Sequence, residues 1–422
     1  MSEPLGSDSG SEVVTTPSSE QLPGSSRVAA SLQWLRSTHP VVVTVLAFVV
    51  SVIVGGLLIV VTDAPTRKAA RYFFASPGAT FSKGWDAVSS AYVALIEGSI
   101  FDLHAHGGIW HGLNPLSDTM LNATPLILAG LAVGLAFRTG LFNIGVQGQL
   151  ILGAVFAGYV GFAWHLPVGL HVVVALIAGM VGGAIWAGLA GWLKSRTGAH
   201  EVITTIMLNY IAYYLLGYLL SLDGFKRSGS NQAISRVVDS NARLPKLFPA
   251  PWRVHAGLIV ALLAAAAVAW LLTRSRVGFQ LRAVGANQNA ARTAGMNVGR
   301  NYVVSMVIAG ALAGLAGCSQ ILGTNTSITQ DIDAGIGFTG ITVALLGRAD
   351  PWATVLAGLL FGALQAGGVA MQSRTGTPID LVTVLQSIIV LFIAAPALIR
   401  SVFRLRGTAD VGSQQLAKGW NG

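Results

Sequence analysis

Charge is what this sequence has least of. Only 10% of its 422 residues are Asp, Glu, Lys or Arg, against about 25% in a soluble globular chain. That scarcity excludes a water-soluble globule. Cysteine is nearly missing as well: Cys318 stands alone, so no intrachain disulfide exists, and in its apolar run it reads as a small buried hydrophobe. The dipeptide Gly-Lys does not occur. The chain therefore has no G-x-x-x-x-G-K-[ST] phosphate loop with which to hydrolyse ATP. Neither G-x-S-x-G nor H-E-x-x-H occurs, which removes two hydrolase signatures. Carboxylates are absent from the centres of the apolar stretches, and Glu201 stands near the start of one. A proton- or sodium-coupled carrier keeps an ionisable relay inside its spans, so any uphill work here must draw on energy supplied from outside the chain.

What is there is long apolar sequence. Hydrophobic residues make up 53% of the chain and mean hydropathy is +0.65. The runs are continuous and do not alternate as barrel strands do, so the fold class is an all-α polytopic membrane protein. About 20 residues suffice to cross the hydrocarbon core. By that measure Val41–Val61, Thr119–Phe137, Leu150–Trp164, Val168–Leu193, Val202–Leu220, His255–Thr273, Tyr302–Leu322, Thr339–Leu346, Pro351–Val369 and Ile379–Ile399 are ten apolar elements. The eighth is short and is broken at Gly347–Pro351. Trp85–Phe101, with Asp86 and Glu97 among its apolar residues, reads as an interfacial amphipathic helix instead of a span. Residues 1–38, rich in Ser, Gly, Pro and Thr, are expected to be a disordered cytoplasmic tail. The transmembrane domain is expected over 39–407 and a cytoplasmic C-terminal tail over 408–422. The first apolar run starts too late and extends too far for a signal peptide.

The net charge of +9 belongs to span flanks and orientation, not to nucleic-acid binding. Arg274–Arg300 carries five arginines and no acid, which marks it as cytoplasmic. Ten crossings then place both termini in the cytoplasm, together with Lys194, Arg196, Arg400, Arg404 and Arg406. Arg67, Lys68 and Arg71 after the first span, and the basic loop Ser221–Trp252, disagree with that count, since both fall outside. Gly179, Gly183, Ala187 and Gly191 repeat at every fourth position, as do Gly310 with Gly314 and Gly358 with Gly362. Such faces allow close helix packing, within the chain or against another subunit.

Two stretches interrupt the apolar pattern. Arg138–Leu152 reads RTGLFNIGVQGQLIL. Its amides and glycines suit hydrocarbon poorly, so it is expected as a tight turn or as part of a conduit. Val277–Asn301 reads VGFQLRAVGANQNAARTAGMNVGRN, and Ala283–Ala294 within it reads as a short helix of small residues. His104, His106 and His111 are either a metal site or a solvated loop.

Four passages together resemble one family. GLFNIGVQGQLILGA (Gly140–Ala154), HEVITTIMLNYIA (His200–Ala212), LRAVGANQNAARTAGMNV (Leu281–Val298) and GITVALLGRADP (Gly340–Pro351) resemble permeases of binding-protein-dependent ABC importers. The superfamily is that of ribose, branched-chain amino acids and nucleosides, and the likeness is greatest to its nucleoside branch. His200 stands where Asn is usual, and Gln288 where Pro is common. The resemblance implies a non-catalytic subunit of the bacterial plasma membrane, without a cofactor. Its expected partners are two ATP-binding cassette ATPase subunits, a second permease subunit forming a heterodimer, and an extracytoplasmic substrate-binding protein. It implies a coupling helix that carries Arg282, Ala283, Gly285, Asn287, Ala291 and Gly295. Neutral amides suit a nucleoside, which offers hydroxyls and base edges but no charge. Asn122, Asn143, Gln147, Gln149 and Asn209 are therefore the candidates for the substrate pathway, or else they bind neighbouring helices and fix the fold. The alternative to an importer subunit is a stand-alone channel or facilitator.

Overall fold

The computed structural model describes residues 40–105 and 108–394. The expected tails at 1–38 and 408–422, His106, Arg400, Arg404 and Arg406 all lie outside the described residues. Fifteen α-helices account for most of what is described. We number them α1 (Pro40–Thr62), α2 (Ala64–Ala70), α3 (Pro77–Glu97), α4 (Ile109–Gly112), α5 (Asn114–Arg138), α6 (Val146–Ala163), α7 (Leu170–Thr197), α8 (Glu201–Leu219), α9 (Gly257–Arg274), α10 (Arg276–Ala286), α11 (Gln288–Thr293), α12 (Val298–Cys318), α13 (Ile336–Leu346), α14 (Pro351–Thr375) and α15 (Asp380–Ala394). A π-helical turn, Ser319–Thr324, extends α12. Among the described residues, pairing of β type is limited to two isolated bridges, Lys226 with Ser235 and Lys246 with His255.

Among the described residues, eight helices are long and apolar enough to cross a membrane, and Ile336–Leu346 and Asp380–Phe392 are two shorter apolar ones. They coincide with the ten expected elements as far as these are described; residues 395–399 of the last lie outside the described residues. The stretch expected as an interfacial helix belongs to the longer α3, whose serines, Lys83 and Asp86 dilute its hydropathy. It is packed against α1 and α14, with the Tyr92 hydroxyl donating to the Val52 carbonyl at 2.6 Å.

Burial sorts the spans. Within the most apolar stretch of α5, 83% of residues are shielded, against 28% in α1, α7 and α8. α5, α6, α12 and α14 therefore form the interior, and α1, α7, α8 and α9 form the rim. Glycine sets the spacing, because lipid gives helices no hydrophobic reason to associate and close contact must replace it. Gly183 lies against Gly310 and Gly314, Gly153 against Gly314, and Gly362 against Ala123. The expected small-residue faces are thus used within the chain. Cys318 is buried against Gly179.

The loop between α8 and α9 is ordered. Ser235 and Val238 donate backbone N–H bonds to Ile328 and Thr326, and Leu244 to Leu322. Two of its arginines are engaged as well. Arg227 donates to the Ser327 hydroxyl, and Arg243 donates to the Val238 carbonyl at 3.1 Å. Near the same end of the bundle, Arg374 at the C-terminus of α14 bridges Glu97 at 2.7 Å and Asp102 at 2.6 Å. Burial pushes the Asp102 carboxyl up, but the His104 N–H and the Arg374 guanidinium outweigh it and hold the group below its ordinary value. His104 lies 3.3 Å from Glu97. Of His104 and His111, the two that lie among the described residues, His104 joins Glu97 and Asp102 in a grouping of metal-ligand geometry. Arg374 already occupies both of those carboxylates.

Candidate functional site

The centre of the molecule is the break between α5 and α6. α5 ends at Arg138, and Gly140 turns the chain at φ +76°, a conformation that costs glycine little. Leu141–Gly145 is non-helical, and α6 then begins inside the bundle. The exposed backbone of such a break needs partners where water is scarce, and the amides supply them. Asn143 Nδ2 donates to Gln149 Oε1 at 3.1 Å, and Gln149 Nε2 donates back to Asn143 Oδ1 at 2.9 Å. The same Asn143 oxygen accepts the Gly145 N–H at 3.0 Å. Across on α8, Asn209 donates to the Ile144 carbonyl at 2.9 Å and accepts the Gly148 N–H at 2.8 Å. All three side chains are buried. A Cβ on Gly148 would lie 3.0 Å from both Asn209 Oδ1 and Trp186 Nε1, so the close approach of α6 to α8 depends on that glycine. At the start of α8, Glu201 pairs with Lys194 at 2.6 Å. The one acid noted near a span is therefore neutralised by a neighbouring cation.

Gln147 faces elsewhere. Its Nε2 donates to Asp333 Oδ2 at 2.9 Å, and the same carboxylate accepts the Gly335 N–H at 3.3 Å, at the start of α13. A Cβ on Gly337 would come within 2.5 Å of Gln147 Cα. Two interrupted helices, α6 and α13, thus abut at their N-termini, the arrangement that transporters use to present backbone N–H groups to a solute. Gln147 is partly exposed, unlike the three amides around it. Asp333 escaped the sequence reading because it precedes a short span. The signal available was its place two residues before Gly335-Ile336-Gly337. Asn122 stands apart: it lies 16 residues before Arg138, about 24 Å along α5 at 1.5 Å per residue, and no side-chain hydrogen bond joins it to the other amides among the described residues.

The basic loop forms a second surface. It is two helices, α10 and α11, and not the single short helix expected. Asn287 divides them, because its extended backbone ends α10 while its side chain caps α11 by accepting the Ala290 N–H at 3.0 Å. Leu281, Val284 and Ala291 point inward, whereas Arg282, Gln288 and Arg292 are exposed, and Ala283 lies between the two faces. Gly295 closes α11 at φ +80°. The end of α10 rests on the end of α5: a Cβ on Gly140 would be 3.4 Å from Gly285 Cα, and one on Gly285 would collide with the Arg138 carbonyl. Arg138 Nε in turn donates to the Ala349 carbonyl at 3.0 Å. Ala349 lies in the left-handed turn Arg348–Ala349 that precedes α14. One contact point therefore joins the basic loop, the root of the α5–α6 break and the base of α14.

Residues 116–394 match the family described as the branched-chain amino acid transport system permease component. The chain belongs to this family. It is a multi-pass membrane permease, and three of its relatives bear the names of transporter permeases. The guanosine ABC transporter permease NupP of Bacillus subtilis is 40% identical over 75% of this chain and 88% of its own. The glucose ABC transporter permease TsgB13 of Haloferax volcanii is 38% identical over 66% and 75%. The nucleoside ABC transporter permease NupB of Lactococcus lactis is 34% identical over 67% and 80%. The Bacillus and Lactococcus species each carry a second, more distant permease relative, NupQ and NupC, at 25% and 24% identity.

Proposed function

We propose that this permease is the membrane-spanning subunit of an ABC importer for nucleosides or a related neutral polar solute such as a sugar. Partner ATPases drive it through α10 and α11. The observation that carries this reading is the seating of Gly285 on Arg138 and Gly140. A displacement of α10 by closing ATPases reaches the α5–α6 break through backbone contacts with no intervening side chain. The break and α13 then change exposure together, since Gln147 and Asp333 tie them. Solute occupancy and ATP each bias the same two-state element by differential binding energy. Family membership makes the chain a permease, and ATP hydrolysis falls to the partner chains, since the sequence holds no phosphate loop.

The relatives named for guanosine and nucleoside transport support a nucleoside cargo, and the glucose permease supports a wider neutral class. The occurrence of two such relatives in one organism supports pairing with a second, non-identical permease. α8 supplies a face for that pairing. Tyr210, Tyr214 and Tyr218 are all exposed along it, and phenol groups at span depth favour a protein or aqueous neighbour over lipid. An extracytoplasmic binding protein delivers the solute to the end of the bundle that holds the ordered α8–α9 loop, and α10–α11 lie in the cytoplasm. No observation favours a stand-alone channel. The test is uptake of labelled guanosine, with unlabelled nucleosides and glucose as competitors, in cells that express the complete transporter. Competition by nucleosides at micromolar concentration is expected, and uptake indifferent to every nucleoside overturns the cargo assignment.

A further inference from the structure

The turn between α1 and α3 has no part in that transport reading. Asp63 starts α2 by accepting the Thr66 N–H at 2.8 Å and its hydroxyl at 2.6 Å. From Arg67 to Lys83 the sequence then holds four cations, Arg67, Lys68, Arg71 and Lys83, and no acid. All four are exposed, and no ion pair engages them among the described residues. Large aromatics are interleaved with them: Phe74 is fully exposed, and Tyr72, Phe81 and Trp85 are each at least 70% exposed.

Packing fixes the face on which this turn emerges. Gly98 lies against Ala370 and Gly367, and Gly368 faces Ile379 and Val382. The end of α3, the end of α14 and the start of α15 therefore share one level, opposite the end where α14 meets Arg138. Farther from that level, Tyr92 and Leu385 meet at Gly55. Farther still, Gly84 faces Val60 and Thr66. α3 thus descends through the bundle with α1 antiparallel beside it, and its 21 residues span about 31 Å, enough for the ~30 Å hydrocarbon core. The turn emerges on the face of α10, α11 and Arg138.

We propose that the turn from Asp63 to Lys83 is an anchor for acidic phospholipid headgroups on the coupling face, and that α3 is a further membrane crossing which places it there. Guanidinium and ammonium groups pair with lipid phosphate, and a basic cluster beside an anionic leaflet is held by its surface potential. The neighbouring aromatics settle at headgroup depth. The assignment rests on the reading that α10 and α11 are cytoplasmic. It removes the conflict that Arg67, Lys68 and Arg71 posed for a topology without α3, and it starts α1 on the extracytoplasmic side.

Because Cys318 is buried, single cysteines can be introduced and labelled in the full transporter. In intact cells a membrane-impermeant maleimide is expected to modify Ser228→Cys, and to reach Lys68→Cys and Gln288→Cys only after permeabilisation. Labelling of Lys68→Cys together with Ser228→Cys in intact cells overturns the anchor alone. Labelling of Gln288→Cys in intact cells overturns the orientation reading and the anchor with it. For the lipid itself, phosphatidylglycerol added over phosphatidylcholine is expected to raise the thermal midpoint of the purified transporter, and Arg67→Gln/Lys68→Gln/Arg71→Gln/Lys83→Gln is expected to abolish that rise. An equal rise in this variant, or the same rise from inorganic phosphate, overturns the lipid assignment.

Discussion

Asn143 and Gln149 exchange two hydrogen bonds where neither side chain meets solvent. Asn143→Leu leaves the Gln149 amide and the Gly145 N–H unpaired, at a cost of about 1–3 kcal/mol per orphaned group. The purified variant is expected to melt several degrees below wild type in detergent, and an unchanged midpoint contradicts the fastening role. Gln147 is different in kind, being partly exposed and tied only to Asp333. Gln147→Leu is expected to lower uptake while ATPase docking stays normal, and unchanged uptake removes it from the path. The residue types at this centre were legible in the sequence, because amides and glycines are conspicuous in an apolar run. Their roles were not. Gln147 meets a carboxylate 186 positions away, and Asn209 meets a loop 65 positions before it. Hydropathy carries no record of such pairings.

At the level of elements, most spans could be read directly, since a continuous apolar run of sufficient length has few alternatives in lipid. α3 could not. Its serines and charges lower its hydropathy, and what holds it in the bundle is α1 on one side and Arg374 of α14 on the other. Arg374→Gln removes the partner of a carboxylate that is only 7% exposed and is expected to destabilise the protein by about 1–3 kcal/mol, discounted because the arginine is itself partly exposed. Its check is a lowered midpoint for Arg374→Gln with near-normal behaviour for Arg253→Gln, whose ion pair with Asp118 is more exposed. The division of the basic loop into α10 and α11 was missed for a local reason. Small helix-favouring residues run on either side of Asn287, and only its capping bond ends one helix and starts the next. Gly285→Glu forces a side chain into the Arg138 carbonyl. It is expected to cut uptake by about tenfold or more, within the usual range of a coupling energy, while the protein still reaches the membrane. Loss of expression alone would contradict a coupling role.

Seen whole, the molecule is a rim of apolar helices around α5, α6, α12 and α14, with an interrupted centre and a basic grip on one face. On the proposed reading the chain supplies a passage and a contact for force, and its sequence holds no phosphate loop. The most direct test is solute accumulation in proteoliposomes that contain either this subunit alone or the complete set of permeases, ATPases and binding protein. The account requires labelled guanosine to be concentrated above its external level only by the complete set and only with ATP inside the face that carries α10 and α11. Concentration by this subunit alone, or by the complete set without ATP, would contradict it.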